Sequence, residues 1–230
     1  MTTNTDQTLP VHELLRRKSF IRSLNAADWI FALVIASAAV FVQTNIDFHM
    51  DIYEMVILWT SAGAAMLLGW FFKPMRWFIL LCLALAYGAL SLYRGDIGNA
   101  DGFLLKYFLS SQSAIMWQCA FVFFALFAYI SGAFVATRRN SETSTLLGMA
   151  TVFAWISAVA GFTGLLVRWH ESYLLRPDAG HIPVANLYEV FILFLVITAL
   201  MYLYYEKRFG IRKLGGFVFA FMAVVVGFVL

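Results

Sequence analysis

Charge is scarce in this chain. Of its 230 residues only 13% are Asp, Glu, Lys or Arg, while 62% are hydrophobic and the mean hydropathy is +0.80. A soluble domain is about a quarter charged. So sparse a set cannot cover a water-facing surface, which excludes a soluble globular fold. Cysteine is scarcer still. Cys82 and Cys119 both lie inside apolar runs and form no CxxC pair. This excludes a thiol redox pair, a zinc ribbon and a haem-attachment motif in this chain, and it leaves two small packing residues. Of the four histidines, none falls in the middle of an apolar run. Haem held between the chain's own helices, as in b-type cytochromes, is therefore not expected. The net charge is +3, but the basic residues cluster between apolar runs. That is a topology signal and not a nucleic-acid footprint, so no nucleic acid is expected as a partner.

What is abundant is apolar sequence. A helix needs about 20 apolar residues to cross the hydrocarbon core. Six runs qualify, at 27–46, 53–72, 77–93, 114–136, 145–167 and 187–205. A seventh begins near Gly216 and has about 15 residues, too few to span without continuation. The expectation is an all-α, polytopic transmembrane helical bundle with six complete spans plus a truncated seventh. The chain then reads as the N-terminal fragment of a longer protein. Its first 26 residues form a polar tail, and the run after it is too long for a signal-peptide core and lacks a cleavage site.

Lysine and arginine set the orientation. Twelve of them fall on one side (Arg16, Arg17, Lys18, Arg22, Lys73, Arg76, Arg138, Arg139, Lys207, Arg208, Arg212, Lys213) and four on the other (Arg94, Lys106, Arg168, Arg176). The N-terminus is thus expected to be cytoplasmic, and the segments 94–113 and 168–189 lie outside. Segment 94–113 reads either as a short interfacial helix or as an early start of the fourth span. A four-span region over 27–136 is followed by a second region over 145–230. Asp51-Ile-Tyr-Glu54 also echoes Asn186-Leu-Tyr-Glu189, as a direct repeat of helix pairs would.

Buried charge in lipid is costly and marks function, and these spans offer almost none. Asp28, Glu54 and Glu189 sit at span ends, where water or headgroups reach them. The external stretch 168–189 is richer. Arg168 and Arg176 suit bidentate capture of carboxylates; the alternative is that Arg168 snorkels to headgroups while Trp169 joins the interfacial aromatic belt. Gly180-His-Ile-Pro183 makes a turn. Asn186 and Glu189 fit a capping box that opens the sixth helix. His181, just above that helix, has a nitrogen suited to binding metal or moving a proton. His12 and His49 read as solvated.

Gly180, His181, Pro183, Asn186, Tyr188 and Glu189, preceded by Arg168-Trp169, resemble the signature of the CcsA/ResC-type (CcsB in some bacteria) system II cytochrome c assembly proteins. The family pattern is Arg-Trp, a spacer, then Gly-His-x-Pro-x-Ser-Asn-x-Tyr-Glu-Ser. Ala185 and Val190 replace its two serines. The likeness is strong over 145–230; over the N-terminal half only topology supports it. The resemblance implies a protein that handles haem at the outer face of the bacterial cytoplasmic membrane, or of the thylakoid membrane. It implies a ResB/Ccs1-type partner and delivery of haem to apocytochrome c. With that partner, the full-length protein is implied to act as a cytochrome c synthase; the present stretch alone is not. The family's tryptophan-rich external segment and its haem-ligating histidines are missing here, so those ligand roles do not pass to His170 or His181. The alternative from a different class is a transporter or permease subunit with an external gating loop.

Overall fold

A computed structural model describes residues 24–46, 51–138, 145–175 and 181–229. The described residues contain seven helices long and apolar enough to cross a membrane, and no strand. They are α1 (Ala26–Ile46), α2 (Ile52–Phe71), α3 (Pro74–Tyr93), α4 (Ser111–Arg138), α5 (Thr145–Leu175), α6 (Leu187–Phe209) and α7 (Gly215–Val229). The chain is an all-α, multi-pass membrane protein. The seventh run, expected to be too short, reaches 18 residues once the 3₁₀ turn Arg212–Leu214 is counted with α7. Large apolar side chains such as Leu33, Phe71, Phe127, Phe134 and Val224 point outwards. In water they would be a liability; against lipid tails they are the expected coat.

The chain divides into two compact units, Met1–Lys73 and Pro74–Leu230. In the first, α1 and α2 form a hairpin. Trp70 Nε1 donates to the Asp28 carbonyl at 3.1 Å, and the Trp29 and Trp70 rings meet edge-on at 5.8 Å. A Cβ on Gly69 would lie 2.3 Å from the Phe31 ring, so only glycine allows this approach. Asp51 caps α2, and its own N–H donates to Glu54 at 3.3 Å, completing a capping box. Asp28 accepts from the Asn25 N–H at 2.6 Å and lies 4.0 Å from Lys73. Asp28 and Glu54 are therefore buried, at 3% and 7% exposure, and not open to water as expected. Each carboxylate folds back onto backbone N–H groups at its own helix start and is covered there.

In the second unit α5 is central: it packs on α3, α4 and α6, and half of its apolar stretch is buried, more than in any other helix. Lipid removes the hydrophobic drive between helices, so close packing must hold them. Gly161 and Gly164 supply it on α5. A Cβ there would lie 2.3 Å from the Gln118 amide and 2.9 Å from the Ile115 side chain of α4. Gly210 ends α6 in the left-handed region at φ 71°, with its N–H on the Glu206 carbonyl at 2.8 Å. Near this end Glu206 is buried. It accepts from Tyr129 Oη at 2.6 Å and Thr151 Oγ1 at 2.5 Å and faces Arg212 Nε at 3.4 Å. This anchors α4, α5, α6 and the turn before α7 to one another.

Candidate functional site

The fifth apolar run was expected to leave the membrane at residue 167. The helix instead continues through Leu175, so the first eight residues of the polar stretch are α-helical. Helical spacing puts Arg168 and Glu171 one turn apart on one face. Four helix ends meet there: the last residue of α3, the first of α4, the last turns of α5 and the first turn of α6.

Glu171 is the hub of this junction. Its Oε1 accepts from Tyr93 Oη at 2.5 Å and from the Ser111 N–H at 3.0 Å, and its Oε2 accepts from Ser111 Oγ at 2.5 Å. Ser111 opens α4, so its N–H belongs to the unsatisfied, partly positive start of that helix. A carboxylate from α5 thus caps α4 from outside. Three donors allow a charge to sit at 6% exposure. Arg168 Nη1 lies 4.0 Å from Glu171 Oε2, and its Nε lies 3.4 Å from Glu189 Oε1. Arg168 does not simply reach for headgroups: it bridges the end of α5 to the start of α6.

Asn186 caps α6 as expected, its Oδ1 accepting from the Glu189 N–H at 2.9 Å. The reciprocal half of the expected capping box is replaced. Glu189 Oε2 accepts from the Ala185 N–H at 3.2 Å, because its other oxygen is drawn to Arg168. Glu189 is 1% exposed, where a water-accessible residue was expected. The end of the loop is pinned to α5. The His181 N–H donates to Ser172 Oγ at 3.2 Å, and that hydroxyl lies within hydrogen-bond reach of the Trp169 and His181 carbonyls, at 2.7 and 3.1 Å. His181 is exposed, Pro183 buried, Trp169 half-buried and Tyr188 exposed. The His170 ring packs beside Tyr93 at 6.4 Å. Arg176, Gly180, His12 and His49 lie outside the described residues.

Segment 94–113 contains a short helical piece over 103–109, where one of the two expectations put a short helix, and it is not a simple early start of the fourth span. It is a 3₁₀ turn (Ile97–Asp101) and a π turn (Leu105–Leu109), separated from α4 by an extended Ser110 at ψ 155°. Asp96 caps the first turn by accepting from the Gly98 N–H at 2.9 Å, and Asn99 Nδ2 reaches the Tyr93 carbonyl at 2.8 Å. Buried Leu105 joins Ala86, Ala89, Tyr93 and Val167 in one apolar cluster. Trp117 Nε1 donates to the Tyr107 carbonyl at 2.8 Å, and the Trp117 ring lies parallel to Phe108 at 5.9 Å. The segment therefore lies folded down on the helix ends.

Between this segment and the Glu171 junction lies an open cleft of about 540 Å³. Lys106, Tyr107, Met116, Trp117, Arg168 and Glu171 are among its walls. The lining carries two cations against one carboxylate, and Tyr93, Tyr107 and Trp117 are its aromatic members. The size falls in the range of small-molecule sites, about 300–1,000 Å³. Its chemistry suits a ligand with an acidic end and a flat apolar body.

No protein-family profile, curated protein or solved structure matches the chain. Of the residues singled out from the sequence, Arg168, Asn186 and Glu189 come together; His181 and Trp169 lie nearby without lining the cleft. Sequence reasoning missed Glu171 and Glu206, acidic residues that helices bury. A usable signal was present: each is an acid within a helical turn of an arginine, lysine or tyrosine.

Proposed function

We propose that the chain is a membrane component of cytochrome c biogenesis. It would hold haem at the outer face of the bacterial cytoplasmic membrane, or of the thylakoid membrane, for transfer to apocytochrome c with a ResB/Ccs1-type partner. The observation that carries this reading is the signature running from Arg168-Trp169 to Glu189. Arg168, Asn186 and Glu189 act as one unit, a guanidinium and a cap that fix how the chain turns into α6. Bound haem supplies an apolar plane, two propionates and the vinyl groups that thioether bonds consume. The chain's own contribution is positional. The cleft cations suit propionates, and the aromatic walls suit a plane. In this reading the cleft walls would hold the organic edge of haem.

The experiment is His181→Ala in the protein expressed with its partner. Cytochrome c maturation should fall while protein levels hold. Normal maturation at normal levels would reduce the loop to a helix-start device. Absence of haem absorption in repeated preparations of the wild-type complex would favour a transporter or permease subunit. Among the described residues, buried Gln118 Oε1 is a polar atom without a hydrogen-bond partner inside the spans, and it suits that second reading.

A further inference from the structure

We infer that the cleft beside the π turn is a binding site for an acid-bearing amphiphile, in which Lys106 and the outer edge of Arg168 hold the acid group and Trp117 with Tyr107 line the apolar body. This deepens the preceding reading by naming the ligand class and its contacts, yet it stands on the cleft alone.

Three observations carry it. First, Arg168 is only partly engaged. Its Nε serves Glu189 at 3.4 Å, while its Nη1 stays 4.0 Å from Glu171. Glu171 is already satisfied by Tyr93 and Ser111, and Glu189 also has the Ala185 N–H. The guanidinium, 40% exposed, keeps donors for a third partner. Second, Lys106 is weakly held. Its nearest carboxylate, Asp101, is 3.9 Å away, with the two side chains 55% and 93% exposed. Such a pair contributes little and exchanges readily. Third, the apolar wall is built and fixed. Trp117 is tied to the Tyr107 carbonyl, Ser113 to the Lys106 carbonyl at 2.5 Å, and the neighbouring Phe103, Leu104 and Phe108 are exposed. An exposed aromatic rim beside membrane-spanning helices places the mouth in the headgroup layer, where amphiphiles collect.

The acid could be a tetrapyrrole carboxylate or a lipid phosphate, and the test separates them. The full chain is placed in nanodiscs of zwitterionic lipid, and metal-free protoporphyrin IX is titrated against intrinsic tryptophan fluorescence. Metal-free porphyrin excludes iron ligation, so failure here and failure of the haem reading are distinguishable. Binding should weaken about tenfold in Lys106→Gln, which removes one charge-assisted hydrogen bond to the acid. The dimethyl ester should bind wild-type protein at least as weakly. Trp117→Phe should reduce the quenching amplitude. Lys106 is exposed, so its variant should fold even where Arg168→Gln does not. Nanodiscs doped with phosphatidylglycerol then compete. Displacement that Lys106→Gln abolishes assigns the site to lipid phosphate; porphyrin binding without displacement assigns it to the carboxylate. Equal binding of acid and ester, or no effect of Lys106→Gln on either ligand, would overturn the proposal.

Discussion

Replacing Glu171 by Ala should be the most damaging single change at the junction of α3, α4, α5 and α6. The carboxylate receives the Ser111 N–H at 3.0 Å, Ser111 Oγ at 2.5 Å and Tyr93 Oη at 2.5 Å. Both hydroxyls can turn to other acceptors, but the N–H at the start of α4 cannot. An orphaned buried donor costs ~1–3 kcal/mol. Hydrogen bonds measured between membrane helices average only ~0.6 kcal/mol, which holds the hydroxyl losses to the low end. Arg168 is 40% exposed and keeps Glu189, so its loss of a neighbour adds little. The sum is about 3 kcal/mol for Glu171→Ala. Glu171→Gln keeps one acceptor oxygen for Tyr93 and the N–H, and it should cost about 1 kcal/mol. Tyr93→Phe alone should also cost about 1 kcal/mol, and much less once Glu171 is Ala. The assay is reversible unfolding in mixed micelles across the four-member cycle. Equal stabilities for the Ala and Gln variants, or strict additivity with Tyr93→Phe, would refute the hub assignment.

Two further outcomes follow from the packing. Gly161→Leu should separate α4 from α5 and lower stability by about 1–3 kcal/mol: even its Cβ would sit 2.3 Å from the Gln118 amide, and a variant unfolding at the wild-type midpoint would contradict that approach. Cys82 and Cys119 are free thiols at 0% and 2% exposure. Neither should react with maleimide in the folded protein, and both should react after unfolding; prompt labelling of the native form would show that the α3, α4 and α5 packing is not as described.

Much of this protein was legible in the sequence, because its signals are local. The length of an apolar run decides whether a helix can span lipid, and a backbone without water must be helical. Helix caps are set by residues a few positions apart, so Asn186 marked the start of α6 correctly, and the Asp51-to-Glu54 stretch that echoes it proves to cap α2. Boundaries were less secure. The polarity of residues 168–175 suggested a loop, yet α5 carries them as helix because Glu171 and Ser172 find partners along its flank. What only the tertiary structure decided is which charge meets which. Tyr93 and Glu171 are 78 positions apart, Tyr129 and Glu206 are 77, and each pair depends on the register of helices packed through small residues. No local pattern encodes that register. It follows from how closely Gly161 and Gly164 let α5 approach α4, and it turns scattered acids into buried, fully donated anchors at both ends of the second unit.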